Sequence, residues 1–113
     1  MTLAERAPLL RLLGPLTVKE VEARVFHAAR SDPQFEASQR TWLEEDRSYF
    51  VRWHPATGAP MQVIGLVQVF KLPEMASRVE VVAFDDQAPD ESGQALRRYV
   101  GLLRAELERE GFA

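Results

Sequence analysis

An α+β fold follows from three observations on the 113-residue chain: a long apolar stretch with no helical period, two shorter runs alternating at period two, and a long amphipathic segment after them. The expected architecture is two or three N-terminal helices, then a three-stranded antiparallel meander with its middle strand central, then a long C-terminal helix packed on the sheet. Residues 1–113 read as a single domain, with 1–7 as a loose N-terminal extension.

The middle strand is Met61 to Leu72, MQVIGLVQVFKL. One face carries Met61, Val63, Gly65, Val67, Val69 and Lys71. The other carries Gln62, Ile64, Leu66, Gln68, Phe70 and Leu72. A strand apolar on both faces belongs in the middle of a sheet and is covered on both sides. Ser48 to His54 alternates and reads as the strand before it, joined by the Pro- and Gly-containing turn His54 to Pro60. Arg78 to Phe84 reads as the strand after it, beyond Pro73.

A short helix is expected from Pro8 to Leu13, because proline suits a first helical position and Gly14-Pro15 stops the run. A competing start at Leu3 is marked by the capping box Thr2 to Glu5, but it would put Pro8 inside the helix. The next helix has the clearest signature. Thr17 and Glu20 form a capping box, and Val18, Val21, Val25 and Ala28 make one apolar stripe ending near Arg30. A third helix is expected to restart at Ser31-Asp32-Pro33-Gln34, with Phe35, Trp42 and Leu43 as its large apolar residues. The last runs from about Glu91 to Glu110 on the stripe Leu96, Tyr99, Val100, Leu103 and Leu107. Gly111 reads as its left-handed terminator, with Phe112 folding back on Leu107. Gly111 is expected to matter more than Phe112 and Ala113.

Composition narrows the function. The net charge of −3 gives no electrostatic footprint for a phosphate backbone and argues against nucleic acid. There is no cysteine, hence no disulfide, thiolate nucleophile or cysteine zinc site. No apolar run reaches the ~18 residues that span a bilayer, and the N-terminus makes a poor signal peptide. The expectation is a cytoplasmic protein without membrane contact. Arginine dominates the cations; Lys19 and Lys71 are the only lysines.

No candidate chemistry outweighs its plainer explanation. His54 beside Trp53 suits a polar residue opening a turn, and His27 lies on the expected solvent face of its helix. Asp85, Asp86, Asp90 and Glu91 supply oxygen ligands for a hard cation, but in no EF-hand spacing; helix capping accounts for them. Arg97 and Arg98 point different ways around a helix. No catalytic residue, metal or cofactor is therefore assigned.

Two resemblances supply alternative functions. Ser92-Gly93-Gln94-Ala95, expected between a strand and a helix, resembles the end of the coenzyme-A loop in GNAT-type acetyltransferases. Trp42 to Val51 followed by Ile64 to Val67 is similar to that family's early strands. Over about half the chain, this resemblance implies a reduced acyltransferase-like domain that binds an acyl-CoA through loop amides. Leu16 to Val25 resembles the first helix of helix-turn-helix DNA readers, which implies a reading helix over Gln34 to Asp46 and a hairpin wing.

The favoured expectation is a small non-enzymatic interaction or regulatory protein that self-associates as a homodimer and has a further, unidentified protein partner. Its interface is expected on the sheet face of Gln62, Ile64, Leu66, Gln68 and Phe70, where glutamines flank apolar residues.

Overall fold

The computed structural model describes residues 7–42, 46–56, 59–84 and 90–113. Their order is β1 (Leu10–Gly14), α1 (Val18–Arg30), β2 (Phe35–Trp42), β3 (Asp46–Trp53), β4 (Gln62–Leu72), β5 (Ala76–Ala83) and α2 (Asp90–Arg109). All five strands join one antiparallel sheet in the order β1-β5-β4-β3-β2. The three-stranded meander beneath an N-terminal helical layer is thereby corrected: among the described residues there are two helices, and both flanks of the meander are extended by a strand.

The two errors have physical causes. The segment expected to be helical from Pro8 to Leu13 is β1. So few residues between two prolines cannot recover the cost of helix nucleation. Extended pairing with β5 instead turns Leu10 and Leu12 inward, with Leu9 and Leu13 outward. The third expected helix is β2. Asp32 accepts the Gln34 N–H at 2.9 Å through Oδ1 and the Phe35 N–H at 3.0 Å through its carbonyl, so the chain turns there. Phe35 and Ala37 then point into the core while Glu36, Gln39 and Arg40 stay in water. β2 is a polar edge strand, and pairing with β3 overrides its weak local preference.

Elsewhere the local signals and the structure agree. Thr17 Oγ1 accepts the Glu20 N–H at 3.2 Å and the Thr17 N–H donates to Glu20 Oε1, which closes the capping box. Gly111 (φ 94°) terminates α2 in the left-handed region. The Phe112 N–H reaches the Leu107 carbonyl at 3.1 Å and the Gly111 N–H reaches that of Glu108, the two bonds of a Schellman ending. Phe112 is buried, and its ring lies where a Cβ on Gly14 would sit, 2.3 Å away. Ala113 then exchanges both backbone hydrogen bonds with Leu13 of β1 at 3.0 Å. Phe112 and Ala113 thus clasp the sheet edge, contacts that the ranking of Gly111 above them did not include.

Both helices lie on one face. Their stripes form a single core with Leu10, Leu12, Phe35, Tyr49, Val51, Val67, Val69, Val79 and Val81. The approach is closest at Gly65, where a Cβ would come within 2.5 Å of Leu96. Tyr99 ties the helices together by donating to the Val25 carbonyl at 3.0 Å. β4 is the third of five strands, as its two apolar faces require, but the helices cover only one of those faces. No helix of the described residues is long and apolar enough to cross a membrane.

Candidate functional site

Three rows of side chains cross the face of the sheet turned away from the helices. The pairing places Val82, Leu66, Phe50 and Ser38 side by side in the first. The second is polar: Arg11, Glu80, Gln68 and Ser48. The third is Leu13, Arg78, Phe70 and Asp46. Alternation along each strand puts these residues on one side, and the order of the strands sets them in register.

The apolar rows are partly roofed by their own side chains. Phe50 of β3 and Phe84, just past the end of β5, meet edge to face with centroids 6.0 Å apart. Leu66 and Val82 between them are buried although neither helix reaches them. The Arg78 guanidinium lies 4.5 Å from the centroid of the Phe70 ring, and that of Arg52 lies 5.5 Å from the Phe50 ring. Glu80 is held between Arg78 at 2.8 Å and Arg11 at 3.3 Å. Leu13 remains 50% exposed and Phe84 37% exposed.

Of the expected interface, Leu66, Gln68 and Phe70 stand together on this face. Ile64 is buried within the main core beside the bulge where β3 and β4 shift register, and Gln62 pairs with Trp53 beyond that bulge. The shift breaks the alternation on which the full set rested.

The remaining candidates disperse. His54 uses its backbone, donating its N–H to the Gln34 carbonyl at 2.8 Å. Arg98 donates to Gln34 Oε1 at 2.8 Å beside a polar cleft of about 470 Å³ floored by Trp53 and Ala95. Gly93, Gln94 and Ala95 lie inside α2 rather than in a loop before it, and the described part of the segment expected as a DNA-reading helix is β2 (Phe35–Trp42) and the first residue of β3, Asp46. Asp85 and Asp86 fall outside the described residues, as do residues 1–6. Among the described residues no group of three or more His, Asp or Glu is arranged to hold a metal ion.

Besides Glu80, sequence reasoning missed a buried charge between the helices. His27 has a partner, on the other helix: its Nδ1 contacts Glu106 Oε1. Arg24 at 3.5 Å and Arg109 at 3.3 Å complete the set around this buried carboxylate. The signal was present in the sequence, because Glu106 lies at helical spacing from Leu103 on the stripe of α2. Glu22 plays a similar part at the start of α1. Its Oε2 accepts from Arg47 at 2.6 Å and from the Tyr49 hydroxyl at 2.8 Å. Burial first, and then the Glu22 carboxylate, pushes the Tyr49 hydroxyl well above its ordinary pKa.

No family model and no curated protein matches this chain.

Proposed function

We propose that the protein is a non-enzymatic interaction module that self-associates through the open face of its sheet. The observation carrying this reading is the row pattern itself. A two-fold axis lying in the interface along β4 preserves position along the strands and exchanges β3 with β5. Apolar rows then meet apolar rows. Phe70 faces its own counterpart, and in the first row Phe50 and Phe84, which roof the buried Leu66 and Val82, meet those of the second copy. In the third row Arg78 faces Asp46 of the second copy, an opposite charge. In the polar row Glu80 faces Ser48, so no carboxylate opposes a carboxylate. Packing two sheets with strands nearly aligned is a standard sandwich arrangement. The flat footprint, ~24 Å across by ~26 Å along the strands from ordinary strand spacing and rise, is ~600 Å² before side-chain relief is added. That approaches the ~800 Å² per partner of a stable interface.

Arginines over phenylalanines on a sheet also describe a stacking platform for single-stranded nucleic acid. Here Arg52 and Arg78 already occupy the neighbourhood of the rings, and Glu80 ties down Arg11 and Arg78. The second copy is the better-matched occupant. Sedimentation velocity across micromolar concentrations is the test. A dimer that Asp46→Arg and Leu13→Glu each weaken, with circular dichroism unchanged, supports the proposal. A monomer throughout overturns it, as does binding of an oligonucleotide to the monomeric face.

A further inference from the structure

A cavity of about 310 Å³ opens between the start of α1 and the turn that joins β4 to β5. Its walls include Val18, Leu72 and Met75, and its charged lining consists of Lys19, Lys71, Arg47 and Glu74. The chain has 12 arginines and 2 lysines, and both lysines are here, brought together from positions 19 and 71. Arg47 is committed to Glu22 at 2.6 Å, so this pair contributes little net charge. The cavity is thus apolar inside, with two exposed ammonium groups against the single carboxylate of Glu74. An ammonium is a compact point charge on a flexible stem, able to follow a carboxylate that an arginine fork would hold in one plane.

The turn adds a second observation. Glu74 and Met75 both adopt positive φ, 63° and 60°, although neither is glycine. Positive φ at two successive residues is the geometry of the tight turn that joins antiparallel β4 to β5. It holds Met75, 72% exposed, at the cavity edge. A methionine is adaptable and well suited to close over an alkyl chain.

We infer that this cavity binds a small amphiphilic carboxylate, with the alkyl chain against Val18, Leu72 and Met75 and the carboxylate between the Nζ atoms of Lys19 and Lys71. The volume sits at the lower limit of ligand pockets and fits a medium-length chain rather than a long one. Each methylene buried adds about fourfold in affinity, so octanoate should bind about 15-fold tighter than hexanoate. This inference stands on the cavity alone and is independent of self-association.

Calorimetric titration of the full chain with octanoate, hexanoate, octanol and acetate tests it. The expected result is saturable octanoate binding, about 15-fold weaker hexanoate, and no comparable binding of octanol or acetate. Lys19→Met with Lys71→Met should preserve the melting temperature and lower octanoate affinity at least about tenfold, the loss of roughly one charge-assisted contact. Lys71→Arg separates a need for ammonium from a need for charge. It should retain part of the affinity, and full loss would overturn the placement of the carboxylate. Absence of octanoate binding at millimolar concentration overturns the site, as does octanol binding equally well. Cosedimentation with phosphatidylglycerol vesicles without octanoate binding would assign the lysines to a membrane surface instead and overturn the inference.

Discussion

Removing Phe112 and Ala113 should bring the protein close to unfolding. The Phe112 side chain is 3% exposed and fills the space beside Gly14. Emptying a phenylalanine site of this kind costs about 3–5 kcal/mol. The two backbone hydrogen bonds between Ala113 and Leu13 add roughly 0.5–1.5 kcal/mol each, toward the low end because they lie at the sheet edge. The sum, about 4–7 kcal/mol, is comparable to the whole stability of a small domain, about 5–15 kcal/mol. Equilibrium urea titration of the truncated chain against the full chain measures it directly. A loss of at least about 3 kcal/mol is expected, seen in a melt as a drop of more than ~10 °C. Phe112→Ala should account for most of it, and deletion of Ala113 alone for less than about 2 kcal/mol. A truncation costing under about 1 kcal/mol would show that the clasp does not form. Gly14→Ala provides the internal check. In the full chain it should cost about 1–3 kcal/mol by overpacking against the ring. In Phe112→Ala the same change should be nearly neutral, and strictly additive costs would refute the contact.

Three further outcomes follow from particular side chains. Gly65→Ala should destabilise by about 1–3 kcal/mol because its Cβ meets Leu96 at 2.5 Å. Gly101→Ala, in mid-helix with nothing within 4 Å, should stabilise by about 0.5–1 kcal/mol; paired thermal melts should therefore move in opposite directions. The only tyrosines, Tyr49 and Tyr99, are both held protonated above their ordinary range by burial. Their raised folded-state values mean that their contribution to stability is complete below about pH 10 and is lost as the pH rises beyond it. Phenolate absorbance should appear only together with the loss of far-ultraviolet circular dichroism, and phenolate formation in the folded protein at pH 10–11 would contradict the burial. Glu106→Gln leaves His27, Arg24 and Arg109 without their shared carboxylate and should cost about 1–3 kcal/mol in urea; a change below about 0.5 kcal/mol would show the cluster to be only a surface ornament.

How much was legible depended on how local the deciding interaction is. The capping box at Thr17, the stripe of α1 and the Gly111 ending are written in neighbouring residues, and they stand as read. β1 was not legible. In LRLLG every residue but Arg11 and Gly14 is leucine, so a helical template and a strand template fit equally, and the decision comes from β5, almost 70 residues away. β2 failed for the complementary reason. Its polar sequence has little preference of its own, and only pairing with β3 makes it a strand. These two errors had one effect on the candidate face. The segments expected to be the first and third helices are strands of the sheet itself, so among the described residues neither helix packs on that face. The Glu106 cluster and the meeting of Lys19 with Lys71 were visible only as odd residues, a glutamate on an apolar stripe and a lysine pair in an arginine-rich chain. What brings them together is the packing of elements far apart in the chain.

The clasp at Leu13 also bears on aggregation. A sheet grows most easily by adding a strand at an open edge. At one edge of this sheet the Leu13 N–H and C=O are already taken by Ala113. At the other, β2 is bulged between Gln39 and Thr41 and carries charged Glu36 and Arg40. Both borders resist templating an incoming chain, so lateral, open-ended growth of the intact molecule is disfavoured. Loss of the two residues that seal β1 would then do more than weaken the fold: it would uncover a hydrogen-bonding border at the same time as it populates partly unfolded molecules able to pair with it.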